Sequence, residues 1–424
     1  MEKITQSATT TADLLSAREA CELLGIKSAT LYTYVSRGLI KPLRQAERKH
    51  NRYLREDVEA LRLRSSVRHG HGAVAATAMR WGQPVMETAI CEIGEQGPRY
   101  RGHLAIDLVR HPGAFENVAE LLWSGVLTDN RLAWPVEPPH VDLALALDGM
   151  LQQGRIKPRM MRVFSIAATA LGGGTLSEEL RSGALTQRAR QLLFAFAGCC
   201  GVLGPQGGFA TPRGERPLAQ HVLQALGVPL TPQAEHAINA ALILGAEHEL
   251  SSGTFAARIA ASTGATLNAC VVAALATHQG ALLAGGGDAA EELMDSIRSP
   301  ADLDRRLADA DQRRERLAGF GLPIYPQGDP RAACLIELAQ RTAPGSARAD
   351  LAYRFMERAR QQLGIHPNVE IGLVVLAIAW SLPARTACAL WGIGRTAGWI
   401  AHVMEQRLAG LPIRPRGLYQ SHGR

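Results

Sequence analysis

At 424 residues the chain is too long for one ordinary compact domain and calls for two or three. With 46% hydrophobic and 20% charged residues it can bury a large core, the balance of a soluble globular protein and not of a disordered one. The net charge of +7 is uneven: residues 1–72 carry 13 Lys and Arg against 8 Asp and Glu, so the N-terminal segment is the part suited to a polyanion partner.

The opening, MEKITQSATTTADLLS, is polar and lacks the apolar core of a signal peptide. Ser16-Ala17-Arg18-Glu19 is a capping-box pattern that predicts a helix through Leu24, ended by Gly25. Ser28 is placed to cap a second helix, Ala29 to Arg37, stopped by Gly38. Two short helices joined by three or four residues make a helix-turn-helix. The basic, turn-like RQAERKHNRY fits a hairpin wing, and Glu56 to Arg64 a third helix. ATLYTYVSRGLI followed by NRYLREDVEAL resembles the winged helix-turn-helix of the MerR and excisionase families over about residues 14–64. That resemblance implies a DNA-binding domain over residues 1–68, with Ser28, Thr30, Tyr32 and Arg37 facing the major groove. Arg44, Arg48, Lys49 and Arg52 would hold phosphates from the wing, where contacts position a protein without specifying sequence. The plainer alternative is a solvated basic face on a docking module.

Residues 69–75 read as a linker; His69 and His71 have no further ligands nearby, so a metal site is not expected. From residue 76 to 424 the pattern is mostly helical, with 3.6-residue apolar spacing in Val141–Leu151, Arg159–Leu171 and Gln187–Ala197. Only Thr88–Ile93 and Arg99–Leu104 read as a short hairpin, so periodicity predicts an all-α domain with one small β appendage. Glycine clusters at 172–174, 204–208 and 285–287 lack a Walker lysine and a preceding strand. The apolar run Ile371 to Leu382 is too short to span a bilayer and reads as a buried helix, so no membrane partner is expected. Seven cysteines, odd in number and without CxxC spacing, fit reduced thiols in a cytoplasm.

Several motifs then occur in order. Tyr100-Arg101-Gly102 precedes a segment from Phe115 to Gly125. His248-Glu249-Leu250-Ser251-Ser252-Gly253-Thr254-Phe255-Ala256-Ala257-Arg258 is followed by Ala261-Ser262-Thr263-Gly264. Gly280-Ala281-Leu282-Leu283-Ala284-Gly285-Gly286 comes next, then a turn-rich loop from Gly319 to Arg331. Pro367-Asn368-Val369-Glu370, Gly394-Arg395 and Ile413-Arg414-Pro415 close the series. Together they resemble the citrate synthase family over roughly residues 75–420. The resemblance implies large and small helical domains, the small one roughly 284–385. It also implies a homodimer and a condensation of an acyl-CoA with oxaloacetate or a related 2-oxoacid. No permanently bound cofactor is implied; acetyl-CoA or another acyl-CoA would be substrate or ligand.

By that resemblance His248 contacts the oxoacid, and Arg331, Arg395 and Arg414 clamp its carboxylates, since a guanidinium matches a carboxylate in bidentate fashion. Arg414 would come from the neighbouring subunit. Glu370 occupies the base position with one methylene more than the family's aspartate. Both histidine positions are lost. Ala284 stands for the enolate-stabilising one and Leu322 for the ketone-polarising one, and neither can donate a hydrogen bond. Losing one such donor costs about 10²–10³ in turnover. His278 and His366 are the nearby histidines that could swing in.

Three readings follow. The first, favoured, is a carboxylate- or acyl-CoA-sensing transcriptional regulator that binds DNA and citrate or oxaloacetate. The second is a working citrate synthase or 2-methylcitrate synthase-type acyltransferase with rearranged donors. The third is a catalytically poor subunit paired with an active citrate synthase paralogue.

Overall fold

The structure, a computed structural model, describes residues 14–24, 26–36, 40, 42–43, 51–55, 58, 86–137, 139–151, 158–181, 183–280 and 286–415. The chain divides into two units, residues 1–87 with 414–424, and residues 88–413.

In the first unit β1 (Leu14–Ser16), α1 (Ala17–Leu24), α2 (Ser28–Ser36), β2 (Pro42–Leu43) and β3 (Arg52–Leu54) follow in order. The capping box forms: Ser16 Oγ accepts from the Glu19 amide at 3.2 Å, and the Ser16 amide donates to Glu19 Oε2 at 2.7 Å. Leu15, Ala20, Leu31, Ile40, Tyr53 and Val58 bury together as the small core. The expected hairpin is present as antiparallel β2 and β3. The sequence reading missed β1, which pairs with β3 on its other edge to give the order β1-β3-β2. Three residues carry no period-two signal, so only pairing reveals them. The second helix also starts one residue early. The Lys27 carbonyl accepts from Thr30 N and Leu31 N, so Ser28 lies inside the helix and is not its cap.

The second unit opens with a three-stranded antiparallel sheet, β4 (Cys91–Gly94), β5 (Gly97–Tyr100) and β6 (His103–Leu104). Helices follow: α3 (Ala105–Arg110), α4 (Phe115–Ser124), α5 (Leu143–Leu151), α6 (Met160–Leu171), α7 (Leu176–Glu179) and α8 (Ala184–Cys199). Next come α9 (Leu218–Leu226), α10 (Pro232–Gly245), α11 (Ser252–Ser262), α12 (Leu267–His278) and α13 (Gly286–Ser296). The series ends with α14 (Pro300–Arg313), α15 (Pro330–Thr342), α16 (Ala347–Leu363), α17 (Val369–Ala379) and α18 (Thr386–Ala409). The three long helical segments read from periodicity appear as α5, α6 and α8, and the apolar run at 371–382 as α17.

The core is set by helices apolar on every side, the mark of a fully buried helix. α17 buries nine of its eleven residues, and α10 nearly its whole length beyond the first turn. α18 packs along α10 and α11, while α15 packs against α17. The approach of α18 to the end of α10 is close enough that a Cβ at Gly398 would collide with Ala246 O and Glu247 Oε2. No helix of the described residues is long and apolar enough to cross a membrane.

Candidate functional site

Three chain segments meet at one place in the second unit. The first is the link between α10 and α11, which carries Glu247 and His248. Tyr100 anchors it from β5: its hydroxyl accepts from the Glu247 amide at 3.2 Å and lies 3.1 Å from the Ile243 carbonyl. Arg101 beside it adopts a left-handed φ of 50° and donates to Leu122 O through Nε and Nη2. The Tyr100-Arg101 pair is therefore structural, holding the histidine-bearing link and α4 in place.

The second segment is the loop from Gly319 to Arg331. It is bolted to residues 366–368: Gly321 N donates to His366 O at 2.8 Å, and Asn368 N to Gly319 O at 2.9 Å. Gly319 has φ 76°, and a Cβ there would stand 2.5 Å from Ile371 Cγ1. Leu322 and Tyr325 close a tight turn, Tyr325 N to Leu322 O at 2.8 Å, with Pro323 at the position that favours its fixed φ. Asp329, fully buried, caps α15 through the Arg331 amide and also accepts from Val369 N at 3.0 Å. One carboxylate thus fixes the starts of two helices, those bearing Arg331 and Glu370.

The third segment is α18 with Arg395. Its Nη2 donates to Ser251 Oγ at 2.9 Å and Thr254 Oγ1 at 3.1 Å, and Nη1 lies 3.0 Å from Glu247 Oε2. Behind it His402 Nε2 contacts Glu247 Oε1 at 3.3 Å, and Arg258 Nη1 contacts His402 Nδ1 at 3.0 Å. Burial opposes the charge on Glu247, but Arg395 and His402 outweigh it and hold the carboxyl below its ordinary range.

Arg331 is buried and gives Nε and Nη2 to Asp329 at 3.0 and 2.8 Å. It stands 6.0 Å from the Tyr325 ring, and His248 packs edge-on to that ring at 6.0 Å. His248 Nε2 and Tyr325 Oη are both buried with no hydrogen-bond partner among the described residues. Burial, reinforced by Arg331 and Arg395, holds the His248 imidazole well below its usual pKa, so it is neutral at pH 7. Burial pushes the Tyr325 hydroxyl up to about 12, so it keeps its proton. Glu370 begins α17 behind its Asn368 cap, and burial pushes its carboxyl up to about 7, against the Asn368 hydrogen bond and Arg331.

The structure therefore brings together His248, Arg331, Arg395 and, through Asp329, the start of the Glu370 helix. Arg414 is exposed and groups with residues 1–87. Ala284 lies outside the described residues, as do Arg37, Arg44, Arg48, Lys49, His69 and His71. In the first unit Ser28 and Tyr32 are exposed, Thr30 is half-buried, and half-buried Arg52 lies 3.9 Å from Glu19. Sequence reasoning did not single out Tyr325, Glu247 or Asp329. Tyr325 was legible only as part of the loop, and the two carboxylates matter through contacts that sequence does not show.

The sequence matches the citrate synthase C-terminal domain over residues 78–416 and a helix-turn-helix domain over residues 14–65. The chain belongs to the citrate synthase family. Across the family it is 30% identical to the 2-methylcitrate synthase of Shewanella oneidensis over 353 residues, 80% of this chain and 93% of that protein. It is 33% identical to the putative citrate synthase 2 of Mycobacterium tuberculosis over 199 residues, 45% of this chain and 53% of that one. The citrate synthase of Thermoplasma acidophilum, solved as a ternary complex with carboxymethyl coenzyme A and oxaloacetate, superposes with a TM-score of 0.68 at 22% identity. That superposition covers 81% of this chain and 95% of the archaeal one, and shows the shared fold. The all-α citrate synthase architecture preceded by a helix-turn-helix head is thus the architecture of this chain.

Proposed function

We propose that this citrate synthase-family chain is a transcriptional regulator whose helix-turn-helix head binds DNA and whose helical domain senses a di- or tricarboxylate such as oxaloacetate or citrate, with an acyl-CoA as second ligand. One observation carries it. His248 Nε2 and Tyr325 Oη, both buried with no hydrogen-bond partner among the described residues, lie beside an arginine that has spent two of its nitrogens on Asp329. Buried polar atoms normally find partners, and neutral donors beside a guanidinium are the complement of a carboxylate. At the neighbouring turn Leu322 supplies an alkyl group where polarisation of a ketone needs a donor. The site thus favours holding a carboxylate over turning it into product. The oxaloacetate and coenzyme A analogue held by the Thermoplasma relative indicate the ligand classes. Arg414, exposed, is available to a second copy of the chain, and a homodimer suits both a shared site and a two-half-site operator.

A second reading, an acyl-CoA condensing enzyme, is favoured by one feature: the Glu370 carboxyl held near neutrality, where a general base works best.

The test is a mobility shift on DNA from upstream of the gene, at several salt concentrations, with and without citrate or oxaloacetate. Binding should weaken steeply with salt and change at least fivefold with ligand. Binding insensitive to salt and to both ligands would remove the regulator. So would release of CoA from acetyl-CoA plus oxaloacetate within a hundredfold of ordinary synthase rates.

A further inference from the structure

Behind Arg395 a line of polar contacts runs to the two points where the chain leaves its larger unit. Arg395 Nη1 and Glu247 Oε2 stand 3.0 Å apart, yet neither atom makes a hydrogen bond among the described residues. The pair is matched in charge and misaligned in geometry. His402 Nε2 meets the other Glu247 oxygen at 3.3 Å, and Arg258 Nη1 meets His402 Nδ1 at 3.0 Å. A guanidinium can only donate, so Nδ1 accepts and Nε2 carries the hydrogen that goes to Glu247. Arg258, on α11, is shared: the same Nη1 donates to Glu405 Oε2, and Nε donates to Gln406 Oε1 at 3.0 Å. Glu247, Arg258, His402 and Gln406 are all buried. The far ends tie down backbone. Glu405 Oε1 accepts from the Ala89 amide at 2.8 Å, and Gln406 Nε2 donates to the Leu411 carbonyl at 2.8 Å. The chain passes between its units at residues 87–88 and 413–414, so each crossing is held within three residues by a side chain that shares Arg258. Burial opposes the charge on Glu405, but the Ala89 amide, Arg258 and the Thr88 hydroxyl outweigh it and keep the carboxyl below its ordinary range.

We propose that Glu247, His402, Arg258 and Glu405 form a relay through which a carboxylate bound at Arg395 tightens the hold on Ala89, where the chain leaves for the helix-turn-helix unit. This rests on the carboxylate-sensing reading. An arriving carboxylate offers Arg395 Nη1 the aligned acceptor that Glu247 does not. Glu247 then draws harder on the His402 Nε2 hydrogen, which makes Nδ1 a stronger acceptor, since hydrogen bonds in a chain polarise one another. Arg258 Nη1 moves its share from Glu405 toward His402. Glu405, left with less of its cation, draws more on the Ala89 amide. The four are positioning residues, and none of them touches the ligand.

The test is backbone hydrogen–deuterium exchange of the full-length protein by mass spectrometry, read on fragments covering residues 86–93, with and without saturating citrate or oxaloacetate. Calorimetric binding of both acids is measured in parallel. In wild type the acid should slow exchange at residues 88–90 about fivefold or more, the low end of ordinary coupling between sites. Glu405→Gln keeps an oxygen for the Ala89 amide but removes the charge that Arg258 shares. It should cut the response below about twofold while the acid still binds. His402→Leu breaks the relay in the middle and should do the same. His402→Gln can accept from Arg258 and donate to Glu247, and should bring the response back above about threefold, a rescue that a merely structural role would not produce. Acid binding with no change in exchange at 88–90 would overturn the inference and leave carboxylate sensing intact, whereas no binding of either acid would remove both. Glu405→Gln or His402→Leu responding like wild type would equally overturn it. The wild-type comparison decides even where a variant fails to fold.

Discussion

Replacing Arg331 by alanine separates ligand binding from structure, and its cost can be worked from the contacts. The side chain commits Nε and Nη2 to Asp329, which leaves Nη1 for a carboxylate. A hydrogen bond to a charged group contributes about 1.5–3 kcal/mol, so the citrate Kd should rise roughly 10- to 150-fold. The same change strips Asp329 of its cation. Breaking one partner from a buried pair destabilises by about 3–5 kcal/mol. Asp329 keeps backbone donors from Arg331 and Val369, so the lower end, about 3 kcal/mol, is expected. Isothermal titration calorimetry with citrate, at a temperature where circular dichroism shows the variant folded, reads the affinity without the folding loss. Glu370→Gln is the companion variant. Glu370 is separate from the His248, Tyr325 and Arg331 donors, and its change should leave citrate Kd within about threefold, since those three donors remain in place. Equal losses from both variants would show that the donors around Arg331 are not the clamp.

Glu370→Gln should also change how stability depends on pH. A folded-state pKa of about 7 against an ordinary 4.5 means the folded chain binds the extra proton between those values, so this group's contribution falls as pH rises through that window. With Glu370 only partly buried, about 1–2 kcal/mol is expected, and Glu370→Gln should gain that much on wild type at pH 8 but not at pH 4.5, by denaturant unfolding. A flat difference across the range would contradict the burial of this carboxyl. Restoring Leu322→His together with Ala284→His should raise CoA release from acetyl-CoA and oxaloacetate at least tenfold, because each returns a donor worth about 10²–10³. No gain would mean the site is remodelled more widely than those two positions. Gly319→Ala must place a Cβ 2.5 Å from Ile371 Cγ1 at a φ of 76°, costing about 1–3 kcal/mol, and should weaken citrate binding by shifting the loop. Unchanged melting temperature and affinity would show that the loop adapts freely.

Much of this protein was written in local pattern. The Ser16/Glu19 box and the helix it opens at 17–24 follow from capping chemistry that acts over three or four residues. The helices at 160–171 and 369–379 follow from apolar spacing and composition. The ordered motifs carried the resemblance to the citrate synthase family at His248, Arg331, Arg395 and Glu370, and by that resemblance Ala284 and Leu322 stand where it implies histidines. What only the tertiary structure decided is how those groups are loaded. Arg331 is held by Asp329, two residues away. Arg395 is met by Glu247 from a segment nearly 150 residues distant. His248 is left neutral, its Nε2 without a hydrogen-bond partner among the described residues, and His278 is laid flat on Trp391 from another helix. Capping and periodicity depend on neighbours along the chain, which a sequence displays. The charge state of a buried side chain depends on which distant dipoles and ions the fold brings within a few ångströms, and no spacing rule encodes that.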